Sequence, residues 1–104
     1  MKTDAIEQNA ERASNLLSAM ANQKRLMILC QLYGKECSVG ELTELLDARQ
    51  STISQHLALL RRDGLVRSRR EGQTLFYSLA TGEAGAVIET LHNLYCEAHT
   101  DETN

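Results

Sequence analysis

Apolar residues recur at helical spacing along most of this chain, and one short segment alternates instead. The spacing predicts a helix over Val39–Leu46 and a second over residues 50–63, with the short break 47–49 between them. Ser38 precedes the first helix and Glu41 follows three residues later, as in a capping box. The second helix has an apolar face at i, i+4 and i+7, formed by Ile53, Leu57 and Leu60. Two helices joined by so tight a break are typical of a helix-turn-helix unit.

The alternating segment follows Asp63-Gly64 and predicts a β-hairpin. Its strands are expected over residues 65–70 and Thr74–Leu79, around a turn at residues 71–73. Every other residue of the second strand is apolar and expected to face the core: Leu75, Tyr77 and Leu79. The hairpin is interpreted as a wing attached to the helix-turn-helix unit.

Three further helices complete the predicted architecture. They are expected over residues 5–21, 23–33 and 83–99, with Asn22 capping the second of them and Gly34 ending it. The predicted fold class is therefore mainly α with a small β-hairpin wing. It is a winged helix-turn-helix with four helices, two strands and a fifth helix in chain order.

Composition agrees with a single small domain over residues 1–104. A chain of 104 residues with 42% hydrophobic content has room for one core. The ends, residues 1–4 and 100–104, are expected to be flexible. The sequence has no apolar run of about 18 residues and no secretory leader at its start, which predicts a cytoplasmic protein without membrane contact.

The second helix of the unit also has a polar face, separate from its core face. Gln50, Ser51, Ser54 and Gln55 carry donors and acceptors of the kind that read base edges in a major groove. Residues 49–70 hold six arginines and one acid, a net charge of +5, so the rest of a chain of net charge −3 carries −8. Phosphate contacts need positive charge concentrated in this way. The pattern predicts binding to double-stranded DNA, and nucleoid association when bound.

The last predicted helix has a wider apolar face than so short a terminal helix requires for one domain, and the first helix also has an apolar face. In the first helix the apolar positions are Ile6, Ala10, Ala13, Leu16, Leu17 and Met20. In the last helix they are Val87, Ile88, Leu91, Leu94, Tyr95 and Ala98. These faces favour a homodimer with a seam built from both helices, although a last helix that serves only the core is the open alternative.

Helix order, recognition-helix sequence and wing together resemble the ArsR/SmtB family of winged-helix repressors over about residues 16–96. Three segments carry the resemblance: residues 19–26 (AMANQKRL), 51–57 (STISQHL) and 60–66 (LRRDGLV). The family implies a homodimer that binds an operator with dyad symmetry and releases it when an inducer arrives.

The resemblance also implies which residues contact DNA. Base contacts are expected from Gln50, Ser51, Ser54 and Gln55, and backbone or minor-groove contacts from Arg69 and Arg70 in the wing. Arg49 and Gln73 complete the predicted DNA-binding set. His56 lies around the helix from Gln50 and is interpreted as a packing histidine.

The cysteines bear on what such a repressor senses. Three cysteines in a cytosolic chain do not indicate a disulfide framework. Metal-sensing members of the resembled family carry C-x-C-x-x-C where this chain has Ser38, Gly40 and Thr43, and no D-x-H occurs before His92. We therefore predict neither standard metal site and no cofactor. The chain also lacks a Ser/His/Asp set and a phosphate-binding glycine loop, so we predict no enzymatic activity.

Two cysteine strings resemble the sulfide- and persulfide-responsive branch of the family, of the BigR, SqrR and HlyU type. They are Ile28-Leu29-Cys30 in the second helix and Leu94-Tyr95-Cys96 in the last. The branch implies that a persulfide or polysulfide inducer links Cys30 to Cys96 through a disulfide or a longer polysulfide bridge, which releases the operator. Cys37 lies outside this pattern and is interpreted as a bystander.

The residues themselves are compatible with more than one kind of regulator. Cys30 fits the role of a small packing hydrophobe beside Leu26 and Tyr33, whereas Cys96 lies on a polar stripe where a nearby histidine would favour its thiolate. A metal-responsive repressor would instead use a set drawn from Cys30, Cys96, His92, His99 and Glu89. A general thiol-redox regulator and a constitutive DNA-binding protein with inert cysteines are also left open.

Overall fold

The computed structural model describes residues 3–80 and 82–97. In chain order its elements are α1 (Thr3–Met20), α2 (Gln23–Gln31), β1 (Cys37–Ser38), α3 (Val39–Leu46), α4 (Gln50–Arg62), β2 (Val66–Glu71), β3 (Thr74–Leu79), α5 (Gly82–His92) and a π-helical turn (Asn93–Glu97). This confirms a mainly helical winged helix-turn-helix. None of the described helices is long and apolar enough to cross a membrane.

The helix-turn-helix unit is capped as the sequence predicts. The Ser38 hydroxyl accepts from the Glu41 amide at 3.1 Å, and the Ser38 amide donates to the Glu41 carboxylate at 2.8 Å. Asp47 ends α3 in the left-handed region, with φ of 50°. The two Ser38–Glu41 hydrogen bonds satisfy both backbone amides of the capping box, which fixes the start of α3.

One hydrophobic core joins α2, α3, α4 and α5. Its largest side chains are completely buried and come from all four helices: Ile28, Leu29, Leu32, Leu42, Ile53, Leu57, Leu60 and Ile88. The predicted apolar stripe of α4 is therefore the core face of that helix. The opposite face of α4 is left to solvent.

A strand that the sequence analysis missed joins the wing to the body. Residues 37 and 38 form β1, which pairs antiparallel with β3, so the sheet has three strands in the order β1-β3-β2. Two residues are too few to produce an alternation in the sequence, and this strand exists because β3 offers it a free edge. The wing is consequently hydrogen-bonded to the segment that follows α2.

Several element ends differ from the predicted ones. The differences are small in α1, which spans Thr3–Met20 instead of residues 5–21, in α4, which ends at Arg62 instead of residue 63, and in β2, which spans Val66–Glu71 instead of residues 65–70. The α2 helix ends at Gln31 with Leu32 as its C-cap, two residues before the predicted end at residue 33. The α5 helix ends at His92 and passes into the π-helical turn instead of running on to residue 99. Residues 98 and 99 lie outside the described part of the chain.

Candidate DNA-binding surface and cysteine site

The exposed face of α4 carries the predicted base-reading residues. Gln50, Ser51, Ser54 and Gln55 are all solvent-accessible, on the face opposite the buried Ile53, Leu57 and Leu60. Arg49 immediately precedes the helix, and its side chain makes no capping hydrogen bond. An accessible helix N-terminus with short polar side chains and a flanking arginine suits a helix that enters a major groove beside phosphates.

The wing presents Arg70 and Gln73 near its tip. Both side chains are exposed, and Gly72 has φ of 65°, a conformation that allows the tight turn. Arg70 lies opposite Leu75 in the β2–β3 ladder. Among the described residues, Arg70 has no ion pair. It is therefore available to an external anion.

Arg69 is engaged within the protein. Its Nε donates to both carboxylate oxygens of Glu36, at 2.8 and 2.9 Å, and a second nitrogen reaches Glu71 at 3.2 Å. Its guanidinium carbon also lies 5.0 Å from the centroid of the Phe76 ring. The hydrogen bond from Arg69 holds the pKa of Glu36 below its ordinary value, and the two carboxylates raise the pKa of Arg69. The structure thus gives neighbouring wing arginines different surroundings.

Sequence reasoning missed the partners of Arg69. Strand alternation could have found Phe76 and Glu71, because β2–β3 pairing sets Arg69 opposite Phe76 and i+2 spacing puts Glu71 on the same face. Glu36 could not be found in this way. It precedes β1, and no pattern in the sequence indicated that strand.

His56 faces the body of the protein and is half-buried. Its Nδ1 is inaccessible and has no hydrogen-bond partner among the described residues. Burial lowers the pKa of His56, with smaller contributions from the nearby charges of Arg25 and Lys24. This environment agrees with the prediction that His56 packs instead of reading bases.

The three cysteines occupy different environments. Cys30 is exposed in the last turn of α2, so the expectation that it packs as a small hydrophobe is wrong. The reason is its place on the helix, since Ile28 and Leu29 take the core face. Cys96 belongs to the π-helical turn after α5, and its side chain lies outside the described part of the structure.

Cys37 is buried, with 2% of its surface exposed. Its Sγ lies 3.8 Å from the Gln31 carbonyl oxygen. Burial raises the pKa of the Cys37 thiol, which reduces the thiolate fraction at neutral pH. This environment supports its interpretation as a bystander.

The alternative metal set is only partly described. Cys30, Glu89 and His92 have described side chains, whereas those of Cys96 and His99 do not. Over the side chains that are described, no three His, Cys, Asp or Glu residues are grouped closely enough to hold a metal ion.

Several large apolar side chains on the first helix and near the end of the described chain face solvent. Ile6 and Leu17 on α1 are each 55% exposed, and Leu94 and Tyr95 are 60% and 68% exposed. These residues belong to the two faces predicted to form a dimer seam. A second copy of the chain would remove this apolar surface from water.

Comparisons with known proteins agree with the fold and with a regulatory role in transcription. Residues 22–68 match a family described as bacterial regulatory protein, arsR family. The chain is 54% identical over 99 residues to transcriptional activator HlyU of Vibrio cholerae, covering 95% of this chain and 92% of that one. Such relatives are named as regulators and not as enzymes, which confirms the prediction of no enzymatic activity.

Solved structures of relatives have the same fold. Reduced HlyU from Vibrio cholerae has a TM-score of 0.84 and 56% identity, covering 88% of this chain and 97% of that one. The transcriptional repressor BigR from Xylella fastidiosa has a TM-score of 0.87 and 35% identity, covering 92% and 98%.

Proposed function

This chain belongs to the arsR family of bacterial regulatory proteins, and from that we propose a dithiol-based repressor that binds operator DNA as a homodimer. Regulators of this family bind DNA and act as dimers. In the proposal, a persulfide or polysulfide releases the operator by linking Cys30 to Cys96. A relative solved as reduced HlyU supports a regulator that has a distinct reduced form.

The observation that carries the proposal is the exposure of Cys30. Thiolates react only where reagents reach them, and Cys30 is exposed whereas Cys37 is buried. A small-molecule persulfide can therefore approach one described cysteine and not the other. The resemblance supplies Cys96 as the partner.

The sulfur chemistry needs no oxidant beyond the inducer. The Cys30 thiolate takes the outer sulfur of a low-molecular-weight persulfide, and the carrier leaves as a thiol. The Cys96 thiolate then attacks the sulfur bonded to the Cys30 carbon, which forms a disulfide and expels sulfide. Two protein thiols are oxidised, and the persulfide is reduced to a thiol and hydrogen sulfide. If both cysteines first become persulfides, loss of one hydrogen sulfide leaves a trisulfide.

The position of Cys30 offers a connection to the DNA-binding surface. Ile28 and Leu29 of α2 lie in the same core cluster as Ile53 and Leu57 of α4. A bridge that displaced the end of α2 would therefore disturb the helix proposed to read bases. A hundredfold loss of affinity needs a coupling free energy of about 3 kcal/mol.

The test combines peptide mass spectrometry with DNA binding on reduced protein. Glutathione persulfide and hydrogen peroxide are applied separately to the wild type, Cys30→Ser, Cys96→Ser and a Cys37→Ala control. We expect persulfide to give a Cys30–Cys96 crosslink and to release DNA in the wild type and in Cys37→Ala, and in neither of the other variants.

Different outcomes would change the assignment. An ordinary disulfide from both reagents would mean a general thiol-redox regulator. If neither reagent links Cys30 to Cys96, the sulfur mechanism fails. Zinc titration of Cys30, Cys96, His92 and His99 variants would then test the metal-responsive repressor.

A further inference from the structure

The wing has two adjacent arginines, Arg69 and Arg70, to which the sequence analysis assigned the same role but which have different surroundings in the structure. Arg69 faces two carboxylates and an aromatic ring, whereas Arg70 lies on the other face of the strand, opposite Leu75. Successive residues of a strand point to opposite faces, so the two guanidinium groups cannot serve the same contact.

Arg69 spans the sheet. The strand order is β1-β3-β2, with Arg69 in β2, Phe76 opposite it in the central strand, and Ser38 of β1 on the far side of Phe76. The Arg69 side chain passes over the Phe76 ring and ends on Glu36, two residues before Ser38. The ion pair therefore joins β2 to the residue that directly precedes β1, across the central strand.

From this geometry we propose that Arg69 is a positioning residue that holds the wing on the body, and that Arg70 is the wing cation that binds a DNA phosphate. The assignment rests on the proposed DNA-binding function. It gives different roles to two residues that the family resemblance both expected to contact DNA.

Charge supports this division. The guanidinium of Arg69 has a carboxylate on each side, so a phosphate approaching it meets a group with a net negative charge. A phosphate at Arg69 would have to displace Glu36 from a two-oxygen contact. A phosphate at Arg70 displaces no ion pair among the described residues. An exposed ion pair adds little stability, so the role of the Arg69 contact is orientation.

The test uses a duplex selected from random sequence by the wild-type dimer, titrated with salt. Arg70→Met should lower the slope of log affinity against log salt by about 1, the change expected for one lost phosphate contact. Arg69→Met and Glu36→Gln should leave the slope unchanged and weaken binding about two- to fivefold at every salt concentration, through a misplaced wing. The doubly substituted Glu36→Arg/Arg69→Glu protein should regain most of that loss.

The opposite assignment gives opposite results. If Arg69 binds phosphate, Arg69→Met lowers the slope, Glu36→Gln strengthens binding by removing a competitor, and the charge exchange restores nothing. Any of these three results overturns the proposal.

A second measurement needs no DNA. Amide hydrogen exchange in β1 and β3 should be faster in Arg69→Met and Glu36→Gln than in the wild type or Arg70→Met, with exchange in α4 unchanged. Equal exchange in all four proteins would overturn the positioning role. If the wild type selects no duplex while the exchange difference is present, the proposed DNA function fails and the positioning role stands.

Discussion

Replacing Cys37 by serine should destabilise the protein far more than the same replacement at Cys30. Cys37 is 2% exposed and belongs to the hydrophobic core, whereas Cys30 is exposed. Serine at position 37 would bury a hydroxyl. Its nearest acceptor is the Gln31 carbonyl, which lies 3.8 Å from the sulfur. A hydroxyl oxygen sits closer to Cβ than sulfur does, so that separation stays beyond the roughly 3.0 Å limit of a good O–H···O bond.

The magnitudes follow from these environments. An unsatisfied buried hydroxyl costs about 1–3 kcal/mol, so we expect Cys37→Ser to lower the free energy of unfolding by about 2 kcal/mol. Cys37→Ala leaves only a small void and should cost about 1 kcal/mol. Cys30→Ser replaces an exposed side chain and should change stability by less than about 0.5 kcal/mol.

Urea unfolding of reduced protein at one fixed concentration measures all three variants together. The concentration is held constant because dimerisation contributes to apparent stability. The reasoning is refuted if Cys37→Ser is no less stable than Cys30→Ser, since Cys37 would then not be part of the core. The expected result makes alanine, and not serine, the proper Cys37 control in thiol experiments.

Three further predictions concern titration, capping and assembly. Burial lowers the pKa of His56 and so favours its neutral form in the folded protein. The stability that His56 contributes is therefore complete above about pH 6.5 and is lost as pH falls through its folded-state pKa. In urea titrations at several pH values, His56→Gln should reduce this loss of stability at acid pH, and an unchanged loss would contradict the prediction. Ser38→Ala removes the capping box of α3 and should cost about 1 kcal/mol by thermal unfolding, with Ser14→Ala as an exposed control that costs little. Leu17→Glu charges an exposed apolar position on α1 and should shift the protein toward monomers in analytical ultracentrifugation, whereas an unchanged dimer would exclude this face from the seam.

Local rules were sufficient for most of the fold. The α3 bounds, the start of α4 and the β3 bounds were predicted correctly, because capping residues and apolar spacing mark them in the sequence. Strand β1 and the π-helical turn were not predicted. The first depends on an edge offered by a strand almost forty positions later, and the second on a change in helical hydrogen bonding that leaves the apolar spacing unaltered.

In the candidate site too, features set by local sequence could be predicted, and features set by tertiary structure could not. Exposure of Gln50, Ser51, Ser54 and Gln55 could be predicted, because it is the complement of a buried helical stripe. The exposure of Cys30 could not be predicted, because a cysteine among apolar residues of a helix is interpreted as another core-facing position. The engagement of Arg69 is a tertiary fact, because its partner Glu36 comes from a segment brought alongside by β1–β3 pairing.

The missed strand also bears on how a change at Cys30 could reach DNA. Gln31 ends α2 directly after Cys30, and the chain re-enters regular structure at Cys37, which pairs with Tyr77 of the wing. The α2 helix is therefore attached to α4 through the core and to the wing through β1. A shift of the α2 end would therefore act both on α4 and on the wing, the two elements proposed to contact DNA. Proximity by itself is not coupling, so the proposed Cys30–Cys96 bridge would have to favour a position of α2 that the DNA-bound dimer disfavours. Because the Glu36–Arg69 ion pair joins the α2–β1 segment to β2, breaking it should weaken the transmission of the signal to the wing while leaving the crosslinking chemistry unchanged.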